Sequence, residues 1–181
     1  FFTDTALLTT ALRHSSYANE HPDKELKDNE RLEFLGDAAL SLCISHLLMH
    51  QFTDLPEGVL SQLRAQLVNE QFLADKARGI HLGEHLLLGK GEELSRGREK
   101  NSILSGAYEA LLGAVYCDGG FEAVFTMVEQ QFTEAINDTA SDTITGDYKS
   151  FLQELVQGQY KSAPIYQIIA ESGPDHNKTF Y

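Results

Sequence analysis

Positive charge is scarce in this chain. Fourteen Lys and Arg stand against 27 Asp and Glu, a formal net charge of −13 at pH 7. By composition that is the wrong sign for a nucleic-acid binder, which must then rely on a local basic surface or on bound cations. Cysteine is nearly absent. Cys43 and Cys117 both fall in apolar helical stretches, so two buried thiols in a reducing compartment are expected, although sequence leaves a disulfide open. Long hydrophobic runs are missing too: the longest, about residues 38–49, is too short to span a bilayer. No signal-peptide pattern is visible, so the expectation is a cytoplasmic protein with no membrane association. No strong strand pattern precedes residue 160. No H-E-x-x-H or E-x-x-H motif occurs, which removes zincin-type sites and withdraws support from a carboxylate-bridged di-iron bundle. Ser102 and Ser105 have no His-acid partner placed by motif, so a serine hydrolase is unsupported.

What is present is carboxylate at helical spacing. The stretch Asn29–Leu40, N-E-R-L-E-F-L-G-D-A-A-L, places Glu30, Glu33 and Asp37 three and four residues apart, on one side of a helix. Continued down the helix, this side reaches Leu40, Ile44 and Leu48, so it points into the protein. Acids clustered there repel one another and resist ionisation unless a cation or proton compensates them. Oxygen donors without paired His or Cys suit Mg²⁺, with Mn²⁺ as a substitute.

Around that stretch the periodicity predicts helices throughout the first 136 residues. A short helix covers 4–12, and the polar segment 14–28 reads as a loop. The acid-bearing helix runs from about Glu30 to Gln51. Pro56 opens another, with Val59, Leu60, Leu63, Leu67 and Val68 on one face. Asn69 is a plausible N-cap and Gly79 a plausible stop for the next. Residues 83–101, rich in Gly and charge, read as a solvated connection. Helix 102–118, the Asp118-Gly119-Gly120 turn and a last helix to about Ile136 complete an all-α domain. Residues 137–146 have the composition of a flexible linker. Beyond them an amphipathic helix closed by Gly158, a strand over 164–170 and a turn at 173–177 into another strand give an α+β fragment of about 35 residues, too small for an independent core.

The acid stretch closely resembles the signature of the ribonuclease III family. The resemblance continues through Glu57–Val68, Ser102–Tyr116 and a C-terminal piece similar to the opening of a double-stranded RNA-binding domain. It implies an all-α endonuclease domain over 1–136, a linker over 137–146, and a truncated double-stranded RNA-binding domain over 147–181. It implies a homodimeric endoribonuclease that cleaves double-stranded RNA by two-metal-ion hydrolysis to 5′-phosphate and 3′-hydroxyl products, in rRNA or mRNA processing. Glu33, Asp37 and Glu109 match metal-binding carboxylates, with Asp37 and Glu109 central to catalysis. Glu30 and Glu57 match supporting acids. Phe34 matches an aromatic that inserts into a pocket of the partner subunit, while Ser150, Gln153, Glu154 and His176 resemble readers of the RNA minor groove. Gly106 departs from the pattern, since the family commonly has an acid there. A water filling that space would preserve activity; a weakened metal site would leave a catalytically impaired duplex-RNA-binding protein. His46 with His50, and His81 with His85, read as surface or packing residues.

Overall fold

The computed structural model describes residues 2–24, 26–146, 153, 156–165, 171–172 and 179–180. The first compact unit, Phe1–Ala140, is helical. Helix α1 (Thr5–Ala11) begins at Asp4, whose side chain accepts the Ala6 N–H. Two elements then occupy the segment read as a loop: α2 (Ser15–Asn19) and a 3₁₀ turn over Pro22–Lys24. The α2 N-cap is His14, whose ring accepts the Ser16 N–H. Histidine is outside the usual capping set, so the helix start carried no familiar signal.

Helix α3 (Glu30–Gln51) has the predicted bounds. Leu40, Ile44 and Leu48 are buried, as the inward continuation of the acid face requires. Pro56 precedes α4 (Glu57–Leu67), which packs Leu63 and Leu67 into the core and ties Arg64 to Ser45 of α3 at 2.9 Å. Asn69 caps α5 (Glu70–Gly79) by accepting the Phe72 N–H.

The connection 83–101 is more ordered than its composition suggests. It holds α6 (Leu82–His85), α7 (Lys90–Leu94) and a 3₁₀ turn over Gly97–Glu99. Leu82, Leu86 and Leu88 are buried, and Arg98–Glu93 and Lys100–Glu92 pairs close the segment at 2.5 and 2.7 Å. His81 and Arg96 take left-handed backbone at φ 55° and 56°, a conformation that neither residue type announces.

Helix α8 (Asn101–Gly146) breaks at Gly120, with φ 75° and ψ −171°, where the turn was expected. Past the break it does not stop near Ile136. Val128, Phe132, Ile136 and Ala140 are all buried, so the four-residue apolar stripe carries the helix into the segment read as linker. A small alanine supplies the last contact, and polar residues around it hide the pattern.

By length and composition alone α3 and the helix over 101–141 could cross a bilayer, although the apolar run 38–49 on its own could not. In this fold they bury Leu40, Ile44, Leu104 and Leu112 against protein. Both cysteines are free, but only Cys43 is buried; Cys117 is exposed. It lies at the end of the apolar stretch, where α8 turns its side chain toward a surface cavity.

The second unit, Ser141–Tyr181, contains helical residues at 153 and 156–160 and a short antiparallel pair, β1 (Glu171–Ser172) with β2 (Thr179–Phe180). Pro164 and Ile165, the start of the expected strand, are not in a strand. The rest of that strand and the 173–177 turn lie outside the described residues, as do Ser150, Glu154 and His176. Gln153 is helical and exposed.

Candidate active site

The acids of α3 face α8 because two glycines let the helices touch backbone to backbone. A β-carbon at Gly36 would lie 1.8 Å from the Glu109 carbonyl oxygen, and one at Gly113 would lie 2.1 Å from the Leu32 carbonyl oxygen. Neither position tolerates a side chain. Gly36 sits between Glu33 and Asp37, so the crossing point fixes both acids opposite Glu109.

The start of α3 is anchored separately. Asn29 is 4% exposed; its side-chain amide donates to the Ala11 carbonyl at 3.2 Å, and its backbone N–H donates to Arg13 O at 2.9 Å. The polar residue ahead of the acid run thus ties α3 to the end of α1. Sequence reasoning assigned it no role, although a lone Asn directly before three spaced acids was a usable signal.

Electrostatics joins the three acids. Burial, then the charges of Asp37 and Glu33, push Glu109 up to about 7. Burial, then Glu30 and Asp37, also raise Glu33 above the ordinary carboxylate range. The side chains are nonetheless not drawn into a ligand cluster: among the described residues, no three His, Cys, Asp or Glu stand close enough to hold one ion. The donor set fits that ion. It is all carboxylate oxygen, from two core helices, under repulsion that a divalent cation relieves.

The remaining expected residues are placed unevenly. Glu30 is exposed at the first position of α3 and contributes charge to Glu33. Glu57 accepts a 2.6 Å hydrogen bond from Ser61 within α4 and is not among the charges that raise Glu33 or Glu109. Phe34 is 80% exposed. Gly106 lies one turn before Glu109, with the Glu33 carboxylate against it. His46 and His50 are exposed, and His46 packs edge-on against Phe125.

Fold and site together define a helical first unit whose two core helices bring Glu33 and Asp37 to face Glu109. A family model described as Ribonuclease-III-like matches residues 4–136. Ribonuclease 3 of Myxococcus xanthus is 49% identical over 177 residues, covering 98% of this chain and 67% of that protein. Ribonuclease 3 of Caldanaerobacter subterraneus subsp. tengcongensis is 51% identical over 179 residues, covering 99% and 78%. Among solved structures, the nuclease domain of ribonuclease III from Campylobacter jejuni, described for flexibility in its region of dimer formation, aligns with TM-score 0.66 at 44% identity. It covers 74% of this chain and 92% of that one. The chain belongs to the ribonuclease III family and is an endoribonuclease of that type.

Proposed function

We propose that this chain cleaves double-stranded RNA as a homodimer, with Glu33, Asp37 and Glu109 holding Mg²⁺, or Mn²⁺ in its place. The observation that carries this reading is the α3–α8 crossing, which sets Glu109 against the two acids of α3 and leaves Glu109 and Glu33 reluctant to ionise. A divalent cation held there by Glu33, Asp37 and Glu109 would supply water activation and charge compensation at the phosphoryl group. The protein's part is to present ionised oxygens from a rigid crossing and to limit solvent around Glu109. Glu30 adds negative charge at the rim. The products expected are 5′-phosphate and 3′-hydroxyl ends, from rRNA or mRNA precursors in the cytoplasm. The two free thiols suit a reducing compartment.

The dimer is supported by one exposed aromatic and one cavity. Phe34 stands out from α3, and a cavity of about 690 Å³ lined by Leu7, Leu26, Arg31, Leu32, Leu35 and Cys117 lies on the same unit. A twofold axis lets each Phe34 enter the other subunit's cavity. Residues 147–181 serve as the first part of a double-stranded RNA-binding domain, with Ser150, Gln153, Glu154 and His176 toward the minor groove.

The test is product analysis on a long, perfectly paired RNA and on its single strands, with Mg²⁺ at low salt, where phosphate contacts are strongest. Paired RNA is cut to 5′-phosphate ends and single strands are spared. Equal cutting of single strands, or 5′-hydroxyl ends, contradicts the reading. The binding-only alternative predicts retention of the duplex without products, and neither the family match nor the site favours it.

A further inference from the structure

We propose that His46, Met49 and His50 form a binding site for Cu⁺ on the outer face of α3, apart from the carboxylate centre. The stretch H-L-L-M-H over 46–50 places two imidazoles four residues apart with a thioether between them. With 3.6 residues per turn, the three side chains fall within an arc of about 100°. Leu48, between them in sequence, is buried, so the helix turns its apolar side inward and these three outward. Asp37 stands nine residues earlier, hence roughly 180° around the helix. The two sites do not share a face.

The ring spacing suits one shared ion. Both histidines are exposed, and their ring centroids lie 5.4 Å apart with the planes 33° from parallel. A metal about 2 Å from an imidazole nitrogen lies about 3 Å from that ring's centre, so two rings on one ion have centres about 4.5–6 Å apart. The observed spacing falls inside that window with no change of backbone. Phe125 meets the His46 ring edge-on at 5.1 Å and steadies it, which lowers the ordering that binding must impose. His50 is left to turn a nitrogen into the gap.

Met49 decides which ion. The chain has two methionines; Met127 packs against the core, whereas Met49 is 66% exposed. Core packing therefore does not account for it. A thioether is a soft donor, poorly matched to Mg²⁺, and beside two imidazoles it selects Cu⁺. Among the described residues, no three His, Cys, Asp or Glu come together, so neither a carboxylate nor a thiolate joins the histidine pair. Three neutral donors suit a monovalent ion better than a hard divalent one.

The experiment titrates the whole chain with Cu⁺ under nitrogen against a chromophoric Cu⁺ chelator, with the methionine ε-methyl groups labelled with ¹³C for nuclear magnetic resonance. Cys117 is an exposed thiol and a competing soft donor, so the parent protein carries Cys117→Ser. His46→Asn, Met49→Leu and His50→Asn are compared in that background, and circular dichroism confirms that each is folded. The parent binds one Cu⁺, and the Met49 methyl signal shifts while that of Met127 stays in place. Each of the three substitutions weakens binding by about tenfold or more, since losing a ligand costs at least what losing its supporting partner does. Excess Mg²⁺ leaves the bound Cu⁺ in place. A parent that takes up no Cu⁺, a Met49 signal that does not move, or any one of the three variants binding as the parent does overturns the proposal. Displacement of Cu⁺ by Mg²⁺ overturns it as well, by placing the ion at the carboxylates.

Discussion

Gly36 and Gly113 meet where α3 crosses α8, each so close to the opposite backbone that a single β-carbon could not be accommodated. Everything at the centre depends on that approach, because Glu33 and Asp37 flank one glycine and Glu109 stands one turn before the other. The first prediction concerns this pair. Gly36→Ala or Gly113→Ala destabilises the protein by about 3 kcal/mol through overpacking. Cleavage is lost even in the fraction that remains folded, since the helices must separate. Urea unfolding and RNA cleavage check it, with Gly79→Ala as a control at a position where nothing lies within 4 Å.

Glu109 carries a second prediction, in which stability and function move oppositely. Its carboxyl is pushed up to about 7 by burial and by Asp37 and Glu33, so ionising it costs folding free energy. Glu109→Gln removes that cost. The metal-free variant melts higher than wild type at pH 8, by an amount on the order of 1 kcal/mol after solvent screening of a partly exposed group. Thermal melting in EDTA measures it, and a variant that melts lower contradicts the electrostatic account.

The pH dependence has a definite sign. A carboxyl whose folded pKa is raised keeps its proton longer in the folded state than in the unfolded one. Its stabilising contribution is complete below the unfolded value of 4.5 and is lost as pH rises through about 7. Glu33 shifts in the same direction. Metal-free wild type therefore loses stability between about pH 4.5 and 7 from Glu109, with Glu33 adding in the same direction, and Mg²⁺ diminishes the loss by favouring the ionised forms. Melting curves across that range, with and without Mg²⁺, show the window; its persistence in Glu109→Gln at undiminished size contradicts the assignment.

Much of this centre was legible in the sequence, and the reasons are local. The Glu30, Glu33 and Asp37 spacing and the apolar run behind it specify one face of one helix, and α3 has the bounds they predict. The Asn69 cap and the Gly120 break are likewise written in residues that act on their own neighbours. What was not legible depends on distant partners. The Gly36–Gly113 contact joins positions far apart in the chain. The order of 83–101 comes from Arg98–Glu93 and Lys100–Glu92 pairs around left-handed residues that are not glycine. Cys117 belongs to an apolar stretch yet faces out, because only packing decides which residue of a helix end is covered. The resemblance groups Glu57 with the acids, while its described hydrogen bond stays within its own helix.

Asn29 gives a prediction about positioning. Asn29→Ala removes the donor to the Ala11 carbonyl and costs about 1–3 kcal/mol through an unsatisfied buried acceptor. Cleavage falls by more than the unfolded fraction explains, because the first turn of α3 carries Glu30 and Glu33. Comparing activity with the folded fraction by circular dichroism separates the two effects.

Phe34, largely exposed in the single chain, should contribute little to the fold and much to assembly. Phe34→Ala leaves the unfolding free energy of the dilute monomer within about 0.5 kcal/mol of wild type. It weakens dimerisation by roughly 2 kcal/mol or more, as removal of a central aromatic anchor does. Sedimentation velocity over a concentration series reads the dimer directly.

The most direct test of the central claim is cleavage of a long, perfectly paired RNA at low salt by wild type and Glu109→Gln, each with Mg²⁺ and with EDTA. The account predicts cutting by wild type only when Mg²⁺ is present, and a loss on the order of 10²–10³-fold or greater in Glu109→Gln. Cutting by wild type in EDTA, or by Glu109→Gln at the wild-type rate, would contradict a metal-dependent centre built from the acids of α3 and α8.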